Sequence, residues 1–343
     1  MPKSPLRKLI PLANSLVSTA LIQRTFGRFV PVFMLHRLQH DDLGIQGQSA
    51  DLVRRHLEHF RNQGYNAISL EQLGKMLRDG EPPPLKSAVF TIDDGFIDHH
   101  DIAGPLFAEY DIPLTFFMIT DFIDRALWPW DDQVSHAVAN AVSGHYTYHV
   151  DEHALMLTLD DQADRRSAVK AIRDRLKQVD NSDLYAHIDA LYACLRVERP
   201  GEIPAEHQPM SWDQANRLCS MGHRIAAHTR SHRILSRLND EEACAEISDS
   251  IARVAQMVDD ASPVFAYPTG RAEDFTEREF TTLEEQNVLA TVSTVAAPYI
   301  YNERMDHDIH SIPRYALPDS PVDFMQYLGW IEFMKLRLRR TRH

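Results

Sequence analysis

The sequence predicts an α/β fold, a distorted (β/α) barrel interrupted by a largely helical insertion. Three observations carry this expectation. Short apolar runs alternate with segments of helical spacing, as in parallel βαβ units. The runs are continuously apolar, as expected of strands covered on both faces. Seven or eight such units close more naturally into a barrel than into an open sheet. Residues 31–343 read as one domain of this kind, with the insertion at about 128–210 and a basic tail at about 329–343.

The elements follow in order. Residues 31–36 (PVFMLH) form the first buried strand. Residues 49–62 place Leu52, Val53, Leu57 and Phe60 on one helical face, and Gly64 stops the helix. Residues 65–70 form a strand, 71–78 a helix and 81–84 (EPPP) a loop. Residues 87–92 (SAVFTI) form a strand that runs into Asp93, Asp94 and Gly95. A helix through Tyr110 and a strand at 113–119 come next. Residues 128–210 break the alternation; their pattern is helical and highly charged, as in 160–166 (DDQADRR). Strands resume at 224–227, 264–267, 289–295 and 311–314. The helix at 239–258 opens with Asn239 and has Glu242 three residues on, like a capping box.

Composition excludes several classes. Apolar residues make up 44% of the 343 and charged residues 25%, which is enough for a sizeable core and rules out disorder or a polytopic membrane protein. Three cysteines (Cys194, Cys219, Cys244) build neither a disulfide scaffold nor a CxxC pair. The net charge of −13 hides two basic ends: residues 1–37 carry +6 and residues 329–343 carry +4, leaving −23 between them. So acidic a body excludes nucleic acid as a main partner. The basic ends suit peripheral contact with an anionic membrane, or ordinary solvation. Residues 9–22 are too short to span a bilayer. Segment 1–30 reads as an amphipathic helix or a diluted signal-like stretch, with 18–20 (STA) as a cleavage-like triplet. A cytoplasmic or peripheral membrane location is favoured over secretion.

The chemistry-bearing residues cluster at strand ends. Asp93 and Asp94 are adjacent carboxylates directly after an apolar strand, where their repulsion needs a cation or a proton to offset it. The C-terminal end of a parallel strand is where α/β barrels place active sites. After the strand at 224–227, residues 228–232 (HTRSH) set two imidazoles four residues apart, on one face of a helical turn. Asp94, His228 and His232 together form a two-histidine, one-carboxylate set. Such a set suits Zn²⁺ or another divalent ion and leaves a position open for water and substrate. Asp93 is then the general base. Residues 265–270 (FAYPTG) end a strand in a turn able to aim a backbone N–H at an oxyanion. The chain has no HExxH, GxSxG or Walker motif. The pairs His99/His100 and His56/His59 read as exposed helix faces.

These motifs resemble those of the polysaccharide deacetylases, the carbohydrate esterases with NodB homology. Residues 91–95 (TIDDG) are similar to TFDDG, and 228–232 (HTRSH) to the HTxSH element. Residues 33–37 (FMLHR) are similar to MYHRV and 112–117 (IPLTFF) to IPATFF. FAYPTG at 265–270 is similar to FAYPYG of the exopolysaccharide branch. The resemblance spans about 31–127 and 210–315.

It implies a NodB-type barrel and metal-dependent removal of N-acetyl, less often O-acetyl, groups from a polysaccharide or other glycan. Carried over by position, Asp93 is the base, and Asp94, His228 and His232 hold the metal. Zn²⁺ is the first choice, with Co²⁺, Ni²⁺ and Mn²⁺ as alternatives. The Thr269 N–H would join in stabilising the oxyanion. The sequence also departs from the family pattern. The arginine that orients the base is replaced by Ala266, leaving Arg314 or Arg271 to substitute, and the usual tyrosine is Thr269. The late acid histidine has no clear counterpart; His310 stands nearest. His36, Tyr267, Arg314 and Trp130 are expected to line the substrate, with Trp128 and Trp130 available to stack on a sugar. The alternatives are a hydrolase of a formamide or amide on a lipid-linked sugar, and a non-catalytic glycan-binding homologue.

Overall fold

The computed structural model describes residues 10, 17–301 and 308–340. Its strands, in chain order, are β1 (Phe29–Val30), β2 (Val32–Leu35), β3 (Asn66–Ala67), β4 (Ser87–Asp94), β5 (Leu114–Met118), β6 (His145–Val150), β7 (His153–Thr158), β8 (Arg224–Ala227), β9 (Val264–Ala266), β10 (Ala290–Val292), β11 (Tyr299–Ile300) and β12 (Tyr315–Ala316). The main sheet runs β10-β9-β8-β5-β4-β2-β12, with β3 beside the start of β4. Every pair in it is parallel. A parallel bridge between Val292 and Ile312 links its two ends, so the sheet curls almost closed. This is the expected distorted (β/α) barrel.

Strand alternation divides the core in two. Val32, Val89, Phe117, Ala226, Ala266 and Val292 pack together on one face. Phe33, Phe90, Phe116, Ile225 and Phe265 pack on the other with residues of the flanking helices. Asp93 falls in step with Val89 and Thr91, so it stands on the face that holds Phe117, its register partner. All eight residues of β4 are buried. A buried strand thus delivers two carboxylates to the sheet's C-terminal rim.

The helices form where their caps and apolar stripes predict. Ser49 accepts from Leu52 N ahead of Ala50–Asn62, and Asn239 accepts from Glu242 N ahead of Asp240–Met257. The insertion differs from expectation in one element. Beside the helices Trp130–Asn140, Gln162–Leu176 and Leu184–Leu195 it holds an antiparallel hairpin, β6–β7. The expected strand at 311–314 lies later, at Tyr315–Ala316, since Ile312 makes only an isolated bridge.

Two histidines expected on exposed faces are buried instead. His56 is 1% exposed, stacks on Phe324 at 4.4 Å and donates from Nε2 to Pro318 O at 2.8 Å. His99 is fully buried and donates to the His36 carbonyl. In each ring Nε2 finds a carbonyl from a distant loop, which periodicity does not reveal.

The described part of segment 1–30 is built onto the barrel. Helix Thr19–Phe26 begins within the cleavage-like triplet, with Ser18 as its N-cap. Thr19 bonds the Tyr65 hydroxyl, and Gln23 bridges Phe29 O and Lys86 N. The C-terminal helix Trp330–Arg340 packs beside it, with Trp330 donating to Val17 O at 3.1 Å and Phe333 stacked on Phe29. Residues 1–9, 11–16 and 341–343, which carry the rest of the expected basic ends, lie outside the described residues. Among the described residues no helix is long and apolar enough to cross a membrane.

Candidate active site

The site is assembled on turns that leave three strands. After β4 the chain takes positive φ at both Asp94 (+87°) and Gly95 (+91°). A Cβ at Gly95 would push on the side-chain ends of Ile123 (2.6 Å) and Met118 (2.8 Å), and the positive φ itself favours glycine there. For Asp94 that backbone is strained, of order 1–3 kcal/mol, a cost typical of functional turns.

After β8 the two histidines were expected on a helical turn. They lie instead in an irregular loop, with positive φ at Thr229 (+63°) and His232 (+58°). Spacing of four cannot tell a helical turn from a loop whose ends fold back. Glu246, buried on helix Asp240–Met257, shapes this loop. Its Oε2 accepts from the N–H groups of Arg230 and Ser231, both at 2.9 Å. Its Oε1 accepts from the Ser231 hydroxyl and from Arg233 Nε. Sequence reasoning missed Glu246; its one signal was an acid on the apolar face of a helix.

These turns bring Asp94, His228 and His232 together, with one ligand atom from each inside 4.8 Å. Asp94 Oδ1 lies 3.6 Å from His228 Nε2 and 3.7 Å from His232 Nε2. Two atoms bound to one tetrahedral ion at about 2.1 Å would be about 3.4 Å apart. Asp94 Oδ1 is buried and has no hydrogen-bond partner. Burial, then the Asp131 and Asp93 charges, push its carboxyl well above the ordinary range. Burial also lowers both histidines, His228 to about 3, so their rings are neutral donors. An orphaned carboxylate oxygen facing two neutral imidazole nitrogens fits a divalent cation.

Beside the trio, Asp93 is clamped. Arg314 NH1 donates to Oδ1 at 2.7 Å and NH2 to Oδ2 at 2.8 Å, with both side chains buried. Arg314 is itself fixed by Ser293 O at 3.0 Å and Thr91 Oγ1 at 3.1 Å. Burial alone would raise the Asp93 carboxyl; the Arg314 guanidinium more than offsets this and holds it at about 2. Arg314 therefore orients the carboxylate, whereas Arg271 pairs with Glu273 at 3.6 Å.

Replacing Arg314 with methionine strands a buried charge and is expected to cost about 3–5 kcal/mol. Because Asp93 titrates lower in the folded chain (about 2) than its ordinary 3.8, the pair's contribution is present above about pH 4 and is lost as the pH falls towards 2. Denaturant unfolding at pH 7 and pH 3 should show the gap between wild type and Arg314→Met narrowing at the lower pH. An equal gap at both would contradict the pairing.

Comparison with known proteins agrees with this geometry. The family model described as polysaccharide deacetylase matches residues 80–288. The chain belongs to the polysaccharide deacetylase family. A curated protein of Bacillus subtilis (strain 168), "Putative polysaccharide deacetylase YxkH", is 23% identical over 118 residues. That alignment spans 33% of this chain and 40% of the relative's length, so it covers well under two thirds of it. Among solved structures, the Streptococcus pyogenes deacetylase PplD superposes with a TM-score of 0.56 at 16% identity, over 88% of this chain and 99% of that one. IcaB from Ammonifex degensii superposes with a TM-score of 0.54 at 14% identity, over 89% and 98%. At these identities the likeness is one of fold.

Three expected site residues of this deacetylase-family chain stand elsewhere. His310 is not beside the carboxylates. Its ring stacks on Phe280, and its Nε2 pairs with Glu284 at 2.9 Å on helix Glu277–Glu285. Tyr267 is 1% exposed, stacked on Phe275 at 4.1 Å with its hydroxyl donating to His310 O, so it belongs to the core and does not line a substrate. Trp130 is fully buried and donates from Nε1 to His232 O at 3.1 Å; it supports a loop where sugar stacking was expected. Trp128, 5% exposed, packs on His136 and His207. Burial decides against Tyr267 and the two tryptophans, while stacking on Phe280 and pairing with Glu284 decide against His310.

Two others stay near the site. Thr269 sits at φ +54° in the turn after β9, and among the described residues its N–H has no hydrogen-bond acceptor. Ala266, in the same segment, receives His228 Nδ1 on its carbonyl at 2.7 Å. His36 leaves the end of β2 exposed to solvent, within electrostatic reach of Asp93, Arg314 and Asp131.

Proposed function

We propose that this protein is a metal-dependent deacetylase that hydrolyses the N-acetyl groups of a polysaccharide, with O-acetyl groups as the lesser activity. The observation that carries this is a clamped, ionised Asp93 next to the Asp94, His228 and His232 trio. A divalent ion held by those three would polarise the acetyl carbonyl and acidify the attacking water. Zn²⁺ suits the donor set, with Co²⁺, Ni²⁺ and Mn²⁺ as alternatives.

The chain's own residues perform the remaining work. Asp93 is kept ionised at neutral pH by Arg314 and takes the proton of the attacking water. The free N–H of Thr269 offers a backbone donor to the developing oxyanion. Protonation of the leaving amine falls to His36, since His310 is committed to Glu284. Although part of His36 reaches solvent, its ring faces the crowded rim of the site, where desolvation lowers it and the Asp93 charge opposes that shift. His36→Gln is expected to lower kcat by about 10²-fold or more, the usual worth of a positioned acid, with metal content unchanged. Unchanged kcat would remove His36 from the mechanism. The FAYPTG turn, similar to FAYPYG of the exopolysaccharide branch, favours an exopolysaccharide substrate.

The test is acetate release from N-acetylglucosamine oligomers by the full chain. Activity should vanish with chelator and return with Zn²⁺. Release that is indifferent to chelator would reject metal dependence, and no release from any acetylated glycan would reject the reading itself.

A further inference from the structure

We propose that Asp131, carried by the insertion, is a positioning residue for the metal centre: its carboxylate accepts the Nδ1–H of His232 and holds that ring as a ligand. The inference rests on the reading of Asp94, His228 and His232 as ligands.

The two histidines make the case by comparison. Both turn Nε2 towards Asp94 Oδ1, at 3.6 and 3.7 Å. An imidazole that ligates through Nε2 carries its proton on Nδ1, and that proton needs an acceptor. His228 has one in Ala266 O, at 2.7 Å. His232 Nδ1 is buried with no hydrogen-bond partner, in a residue only 7% exposed. The carboxylate facing it is Asp131, with Oδ1 at 4.0 Å. That is about 1 Å beyond a direct bond, a gap closed by a small side-chain rotation or by one bridging water.

The insertion grips His232 with two consecutive residues. Trp130 donates to its carbonyl at 3.1 Å, and Asp131 faces its ring. Both sit in the first turn of helix Trp130–Asn140. Arg173, from helix Gln162–Leu176, braces that turn. It donates from Nε to Asp131 O at 3.1 Å and from NH2 to Ser135 Oγ at 2.9 Å. An acid in a first helical turn is favourable by itself. Asp132 serves that purpose equally, yet it faces His207 at 3.7 Å and makes no ion pair with His232. Asp131 differs from it in facing the ligand. The insertion thereby supplies the second support of the metal centre, where the barrel supplies the first through Ala266.

The experiment measures Zn²⁺ affinity of the metal-stripped full chain by competition with a chromogenic chelator. Asp131→Ala is expected to weaken binding by about 10–100-fold, the usual effect of removing a carboxylate behind a histidine ligand. The isosteric Asp131→Asn should fall between Ala and wild type, and Asp132→Asn should stay close to wild type. Melting temperatures of the metal-free proteins report any change in stability separately from the change in Zn²⁺ affinity. In the Zn²⁺-loaded wild type, NMR should show a protected, downfield Nδ1–H signal for His232 that Asp131→Ala loses; a purely structural role would leave that signal in place. Equal Zn²⁺ affinity in wild type and Asp131→Ala overturns the proposal, as does an equal loss in Asp132→Asn. No Zn²⁺ binding by wild type instead overturns the ligand assignment on which the proposal rests.

Discussion

Asp93→Asn is expected to lower kcat by about 10²–10⁴-fold while leaving the fold and the metal content in place. The range is that of a positioned general base. Asparagine keeps the shape but cannot take a proton at neutral pH. It can still accept one hydrogen bond from Arg314, which now bonds both oxygens at 2.7 and 2.8 Å. The arginine then keeps its charge beside a neutral partner, so some loss of stability accompanies the loss of rate. The two effects separate in one experiment. Acetate release under saturating substrate reports kcat, and denaturant unfolding of the same samples reports stability. Rate retained within a few-fold would show that Asp93 is only a structural partner of Arg314.

Asp94→Asn has the opposite signature: it abolishes the stabilisation by Zn²⁺ and raises the stability of the metal-free chain. Asp94 is buried with Oδ1 unpartnered, and burial together with Asp131 and Asp93 disfavours its ionised form. Removing that charge relieves the repulsion. The same charge is what a cation needs, so the amide loses the ion. At Zn²⁺ about 1,000-fold above Kd, the wild type should gain about 4 kcal/mol. Thermal unfolding of wild type and variant, each with and without Zn²⁺, gives the comparison. A variant less stable than wild type in chelator, or one that still responds to Zn²⁺, would contradict this account of Asp94.

Much of this site is legible in sequence because its parts sit at strand ends. The run SAVFTI followed by two aspartates and glycine announces a buried strand, a rim and a turn within nine residues. The two candidate ligand histidines follow another strand directly. What is not legible is whatever distant chain supplies. The sequence offers Arg314 and Arg271 alike as partners of Asp93; Arg314 is the one beside it because β12 adjoins β2, which adjoins β4, and that order is a property of the closed sheet. Glu246 reaches the loop from a helix, with only its place on that helix's apolar face as a signal, and Asp131 comes from the insertion with no local signal. The misplacement of His310 has the same origin. It was chosen for its place near the end of the motif series, but packing turns its ring outward onto Phe280. His36 reads in sequence only as a substrate-lining residue, although β2 lies beside β4 in the sheet. Trp130 shows a different limit: an aromatic residue at the start of a charged insertion looks like a sugar platform until its full burial is seen.

The account stands on one ion shared by three side chains. An anomalous difference map recorded at the zinc edge, from crystals of the Zn²⁺-loaded full chain, tests it directly. The expected result is a single peak about 2.0–2.2 Å from an Asp94 carboxylate oxygen, His228 Nε2 and His232 Nε2. A peak bound elsewhere, or these three side chains left without one, would contradict it.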